Sequence, residues 1–351
     1  MKKKKVSMQD IANAVSMSKY AVSRALSGKS GVTPETRQFI IDAAKQLGYV
    51  HPKKTDSGII GPHDDINRDR HTIAVIMIDE RFQSRENPYW GGILDGLQAY
   101  AAEKNLGMIV ISEAAALKFG SVINPDSLLG MIVIGHLPTD VLFAIKQTNV
   151  HIVMVDYEHQ MLPCDTVFMS NFDCMRKLVQ YLVGLGHQSF MFMGSVAASR
   201  SAYDRWWGFL STLEDCGIKH QQPVELLNAY NFSRLETENF VGRWIKQQKK
   251  LQALPTAFVC NNDVLASDLI AILKDNDIGV PEDCSVTGFD DCFYGKNKIT
   301  TIRSELETMG RRAVDTLIWR MQHPGVPHEK ILISGELVIK ETTVAPGQFS
   351  K

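Results

Sequence analysis

Acid is scarce at the start of this chain and base is in deficit everywhere after it. The first 54 residues hold three Asp or Glu against eleven Lys or Arg, whereas the rest hold 36 acidic and 27 basic side chains. The two parts therefore carry about +8 and −9, and a whole-chain charge of −1 conceals the split. Long apolar runs are missing too. No stretch reaches the roughly 18 apolar residues that a membrane span requires, so no membrane partner is expected. The lysine run Lys2 to Lys5 leads into a polar, capped segment and does not read as a secretory signal. The six cysteines (164, 174, 216, 260, 284, 292) show no Cys-x-x-Cys spacing, and the ten histidines show no metal-ligand spacing. Reduced, mostly structural thiols in a cytoplasmic protein without a metal are the expectation. Cofactor motifs also fail. Ser27-Gly28-Lys29-Ser30 imitates the end of a phosphate loop, but Ser23 occupies the place of its first Gly. Gly184-Leu185-Gly186 lacks the third Gly of a dinucleotide fingerprint and follows a helix. No cofactor is predicted, and no nucleophile or general acid/base set argues for an enzyme. What remains is 351 residues, 44% apolar, enough for two or three domains with a large core.

Residues 7 to 26, SMQDIANAVSMSKYAVSRAL, are the most specific stretch. Ser7 is an N-cap with Asp10 returning a bond to it, and Ile11, Ala12 and Val15 make one apolar face. After the turn at Ser16-Met17, Ser18 caps a second helix with Ala21, Val22, Ala25 and Leu26 inward. Two short helices joined by a tight turn form a helix-turn-helix. The second helix then presents Lys19 and Tyr20 outward, with Arg24 about one turn on, at the positions that reach base edges in the major groove. Arg suits guanine, and Ser18, Tyr20 and Ser23 suit bases or phosphates. Ser7, Ser18, Lys19, Tyr20, Ser23 and Arg24 are thus the candidate DNA contacts. Thr33-Pro34 starts a third helix, whose apolar stripe is expected to be Phe39, Ile40, Ala43, Ala44 and Leu47.

These marks together, DIA at 10–12, VSRAL at 22–26, SGK at 27–29, GVT at 31–33, ETR at 35–37 and AAKQLGYV at 43–50, resemble the N-terminal domain of the LacI/GalR family of bacterial transcriptional regulators. The resemblance continues through most of the chain. It implies a hinge at residues 51–71 that folds on DNA and wedges a leucine into the minor groove. Here Pro52 is followed by Lys53 and no leucine precedes the body; Ile59 and Ile60 stand between Gly58 and Gly61, which disfavour helix.

From Thr72 onward, short apolar runs alternate with amphipathic stretches, the pattern of parallel sheets covered by helices on both faces. Strands are expected at 72–78, 107–111, 130–134, 152–155, 189–193, 257–260 and 285–288, and helices at 91–104, 174–184, 203–215, 234–251 and 263–276. The fold expected is α/β: a small all-α helix-turn-helix head (1–50), a linker or hinge (51–71), and a sensor (72–345) of two doubly wound parallel sheets. By the resemblance the sensor is bilobed and like periplasmic sugar-binding proteins. Its lobes are placed at 72–169 with 294–326 and at 170–293 with 327–345, and ligand is placed at strand carboxyl ends between them.

The resemblance carries residues into that cleft. Tyr89 or Trp90 would stack on a sugar ring, and Asp156 ends a strand where a carboxylate can bind a hydroxyl. Arg205, within SRSAYDRWWG, offers a fork for paired hydroxyls or a carboxylate. Phe232, in Asn231-Phe232-Ser233, would be a second stacking face. Asn262 and Asp290 face the ligand, while Asp263 and Asp291 cap helices or hold loops. Ser170-Asn171 and Cys174 depart from the family pattern. The function implied is a dimeric repressor of carbohydrate-utilisation genes, bound to palindromic double-stranded operator DNA and controlled by a sugar or sugar phosphate. The chain's last residues, 345–351, carry no leucine heptads, so dimers are expected rather than tetramers. The alternatives are a sugar-handling enzyme or receptor with a basic head, and a regulator controlled by a phosphorylated partner protein.

Overall fold

The computed structural model describes residues 7–15, 17–26, 32–46, 72–77, 88–112, 116, 124–228, 234–292 and 298–347. The chain divides into two units, residues 1–66 and 67–351. The expected hinge at 51–71 lies outside the described residues.

The first unit contains α1 (Met8–Ala14), α2 (Lys19–Leu26) and α3 (Pro34–Gln46). The capping box forms: Ser7 Oγ accepts from the Asp10 amide, and the Asp10 carboxylate accepts from the Ser7 amide at 2.8 Å. Ser18 Oγ accepts from the Ala21 amide at 3.1 Å and caps α2. Thr33 does the same for α3 through the Thr36 amide. Ile11, Ala12, Val15, Val22, Ala25, Ile40 and Ala44 form one small core. Two expected core residues are outside it: Ala21, which is half-buried, and Phe39. Phe39 is 57% exposed, because adjacent residues of a helix point about 100° apart and Ile40 takes the inward direction. Leu47 lies outside the described residues.

The second unit has two lobes. The first is a six-stranded, all-parallel sheet in the order β10-β5-β4-β3-β1-β2. Its strands are β1 (Thr72–Met77), β2 (Gly107–Ser112), β3 (Leu128–Ile134), β4 (Ile152–Val155), β5 (Asp165–Met169) and β10 (Lys330–Ile333). Period-two alternation divides the core. Ile73, Val75 and Met77 pack on one face beneath α4 (Pro88–Glu103) and α10 (Leu306–Gln322). Ala74 and Ile76 pack on the other beneath α5 (Thr139–Lys146). Runs such as IAVIM and IVMV are continuously apolar because both faces are covered. α4 and α10 meet backbone to backbone. A Cβ on Gly96 would stand 2.1 Å from the Glu307 carbonyl oxygen, and one on Gly310 would stand 2.2 Å from that of Ile93.

The second lobe is a parallel sheet of β6 (Phe190–Met193), β7 (Ala257–Cys260) and β8 (Ser285–Thr287). Parallel bridges from Thr287 to Thr300 and from Asp290 to Arg303 attach β9 (Thr301–Arg303), which pairs antiparallel with β11 (Glu336–Val338). Helices α6 (Asn171–Gly184) and α7 (Arg200–Asp215) cover one face, and α8 (Arg234–Leu251) and α9 (Asp263–Lys274) the other.

Two expected lobe boundaries are displaced. β9 extends the second lobe, so the chain returns to the first lobe after residue 303 and not at 293. β10 pairs with β5 in the first lobe, so the last crossing follows residue 333 and not 327. The physical cause of the second shift is a buried ion pair. Arg320 reaches Asp165 at 2.6 and 2.7 Å and also donates to the carbonyls of His323, Val326 and Pro327, while the Glu329 amide donates to Asp165. This holds the segment before β10 against the first lobe. Among the described residues no helix is long and apolar enough to cross a membrane.

Candidate functional site

In the first unit, Ser18, Lys19 and Tyr20 are exposed on the opening of α2, with Tyr20 67% accessible. Arg24, one turn along, is half-buried; its guanidinium bonds the Tyr20 hydroxyl and its Cζ lies 5.2 Å from the centre of that ring. Ser23 is half-buried, and Ser7 is exposed but engaged in its capping box. The helix thus shows water a cation and a phenol on one face while its other face builds the core. That is the arrangement a groove-reading helix needs.

In the second unit the cleft side chains converge. Asp156 follows directly on β4 and takes a left-handed φ of +55°. Near the start of α4, the buried phenol of Tyr89 lies close enough to Asp156 to feel its charge. From the other lobe, Ser201 Oγ donates to Asp156 Oδ1. One turn further along α7, Arg205 is only 4% exposed. Its Nε donates to Asn171 Oδ1 at 2.8 Å and its Nη1 to the Asn261 carbonyl at 2.6 Å. Nη1 and Nη2 hold the two Asp290 oxygens at 3.2 and 2.9 Å. The guanidinium also lies 3.8 Å over the ring of Phe289. Asp290, at φ +99°, accepts a further bond from Ser304 Oγ. Tyr89, Asp156, Arg205 and Asp290 lie close enough to act on one another's charge. A second link joins the lobes at the rim: Arg200 of α7 reaches Glu158 at 2.6 Å, and Glu158 also pairs with Lys330 of β10.

Exclusion of water sets the protonation. It pushes Asp156 up to about 6, against the opposing pull of the Ser201 hydrogen bond and the Arg205 charge. Burial, followed by the charge of Asp156, raises the Tyr89 phenol well above its ordinary value. Burial pushes Asp263 up to about 7, although Thr301 Oγ1 and the Cys292 amide donate to it.

The remaining expected residues divide. Trp90 is edge-on to Tyr89 at 4.9 Å and packs over Gly135, where a Cβ would stand 3.2 Å from its ring; it fills the first lobe. Asn262 spends its side-chain oxygen capping α9, accepting from the Leu265 amide at 2.9 Å. Its neighbour Asn261 is the one bonded to Arg205. Phe232 lies outside the described residues. Asp291 is held by Arg303 and Lys340. Ser201, Asn171, Asn261 and Phe289 were not anticipated. Asn171 and Ser201 stood in stretches already singled out, SN at 170–171 and SRSAYDRWWG, but only the fold shows that they meet Arg205 and Asp156.

Known proteins agree with this division. Residues 7–52 match the model of bacterial regulatory proteins, lacI family, and residues 179–343 match that of a periplasmic binding protein-like domain. The chain is 27% identical over 347 residues to the HTH-type transcriptional repressor CytR of Escherichia coli K12, covering 96% of each chain. It is 23% identical to the HTH-type transcriptional regulator DegA of Bacillus subtilis, covering 97% of this chain and 98% of that one. Among solved structures, a complex of the transcriptional regulator CelR with cellobiose superposes with a TM-score of 0.65 at 18% identity, over 97% of this chain and 100% of that one. The lac repressor dimer bound to operator and the anti-inducer ONPF gives 0.62 at 21% identity, with the same coverage. A capped reading helix at the front, a two-lobed ligand-binding fold behind it, and relatives matched along nearly their whole length leave one assignment: the chain belongs to the lacI family of bacterial regulatory proteins.

Proposed function

We propose that this DNA-binding transcriptional regulator is a dimeric repressor of carbohydrate-utilisation genes, acting in the cytoplasm and released or retained by a small sugar-like effector. The observation that carries the reading is the cluster between the lobes, where Tyr89 and Asp156 of one meet Ser201, Arg205 and Asp290 of the other. A ligand that interposes itself there must exchange inter-lobe hydrogen bonds for its own hydroxyls. It therefore has differential affinity for two lobe arrangements, the condition for shifting an equilibrium.

Dimerisation follows from the DNA. One head covers a half-site too short for selectivity in a genome, so two heads on a near-palindrome are needed. The lac repressor dimer, which has this fold, supports that assembly. In each head Ser18, Lys19, Tyr20, Ser23 and Arg24 would contact DNA, and Ser7 would approach phosphate by its capped helix end. The test is a set of binding isotherms of the full chain on a near-palindromic duplex, with and without candidate sugars and at several salt concentrations. Selective, salt-sensitive binding that changes with a sugar is expected. Binding that ignores both sequence and sugar would overturn the proposal.

A further inference from the structure

The described side chains that meet between the lobes do not balance in charge. Arg205 and Asp290 neutralise each other in a two-oxygen pair, and the other guanidinium bonds go to Asn171 and the Asn261 carbonyl. Asp156 accepts from the Ser201 hydroxyl and lies beside the uncharged Tyr89 phenol. Hydroxyls satisfy a carboxylate's lone pairs but leave its charge. Asp263, close enough to Asp290 to feel it, is likewise met by a hydroxyl and an amide. Asn261, whose main-chain carbonyl accepts from Arg205, has a side-chain Oδ1 removed from solvent with no hydrogen-bond partner. Among the described residues the site therefore sets one guanidinium, already bonded to Asp290, against the carboxylates of Asp156 and Asp290, with acceptors in surplus.

A phosphate or carboxylate arriving here would bring like charge against Asp156 and would have to compete with Asp290 for Arg205. A protonated amine would supply what is missing: a positive charge for Asp156 and hydrogen-bond donors for the unpartnered acceptor. We propose that the effector is a cationic, hydroxyl-bearing small molecule of the amino-sugar class, its ammonium group received by Asp156. This inference rests on the cleft being the effector site, and it makes Asp156 the residue that sets ligand charge.

The test is calorimetry of the full-length protein against matched sets: glucose, glucosamine and glucose 6-phosphate; galactose, galactosamine and galacturonate; mannose, mannosamine and mannose 6-phosphate. In at least one set the amino sugar should bind at least tenfold tighter than its neutral parent, with the anionic member weakest. Asp156→Asn should bring the amino sugar down to its parent's affinity, and Asp156→Glu should restore the preference. Thermal unfolding of each unliganded variant checks that it folds. Tightest binding by a neutral or anionic member, or a preference that survives Asp156→Asn, would overturn the inference alone. Silence across every set would overturn the cleft reading, and this inference with it.

Discussion

Arg24 and Arg205 face opposite tasks with the same side chain. Arg24 lies on a short surface helix, stacked on Tyr20 and bonded to its hydroxyl, with the chain's basic end around it. Arg205 is 4% exposed, bonded to Asn171, Asn261 and Asp290, and stacked on Phe289. The first lies half-buried at the surface, stacked on a residue of its own helix. The second is built into a wall, where its pairing with Asp290 offsets the desolvation of both charges only while both are present.

The largest effect should come from breaking the wall. Arg205→Ala leaves the Asp290 carboxylate uncompensated, and a cost of about 3–5 kcal/mol is expected in denaturant unfolding of the second unit. Removing both charges in Arg205→Met/Asp290→Leu should recover most of it. A double variant no more stable than the single one would mean that the pair does not act as a unit. Arg24→Ala, by contrast, should leave unfolding almost unchanged and appear only with DNA. A base contact would show as about 1–3 kcal/mol of lost discrimination at one operator position. A phosphate contact would weaken all sequences alike and lower the salt slope by about one. Tyr20→Phe frees Arg24 from its tether and sharpens the question, because a change in selectivity then reports on the tether itself.

The carboxylates give a pH test of the same contrast. Asp156 and Asp263 are raised to about 6 and 7, so between about pH 4 and 7 the folded chain binds protons that the unfolded chain releases. Their contribution therefore rises as pH falls through that window and is least above it. His187, lowered by burial between Thr256 and the Val344 carbonyl, acts in the opposite sense below about pH 6.5. Asp263→Asn should remove part of the gain on acidification, read as a smaller rise in unfolding midpoint from pH 7.5 to 5.5 than in the parent chain. An identical rise would show that Asp263 titrates normally. The smallest effect belongs to the exposed latch. Glu158→Gln should cost at most about 1 kcal/mol of stability, and a larger loss would mean that the rim governs lobe closure more than the cluster does.

Local chemistry was legible before the fold was known. Ser7 with Asp10, Ser18 and Thr33 announce three helix starts, because caps act within four residues. Strands such as Ile152–Val155 and Ala257–Cys260 were readable as bounded apolar runs. α10 was not among the helices named, although its buried positions Leu306, Met309, Gly310, Ala313, Val314 and Leu317 follow helical spacing and Arg311-Arg312 lie off that stripe. β10, with alternating exposure at a sheet edge, and the three-residue β9 and β11 carry too little apolar signal of their own; register with distant partners makes them. The site shows the same limit. Arg205, Asp156, Asp290 and Asn262 were named from the sequence, but that the main-chain carbonyl of Asn261 accepts from Arg205 while Asn262 Oδ1 caps α9 is set by the fold and by no local pattern.

The crossing of α4 and α10 has a consequence for signalling. α4 opens with Tyr89 at the cleft, and α10 opens two residues after Ser304, whose hydroxyl holds Asp290. At Gly96 and Gly310 the two helices touch main chain to main chain, with no side chain between them to yield. Neither helix can slide or roll alone. A displacement of Tyr89 is therefore expected to reach Ser304 and Asp290 through this joint. Gly96→Ala would set a Cβ 2.1 Å from the Glu307 carbonyl oxygen and force the two helices apart, and the expected outcome is a weaker link between effector binding in the cleft and DNA binding.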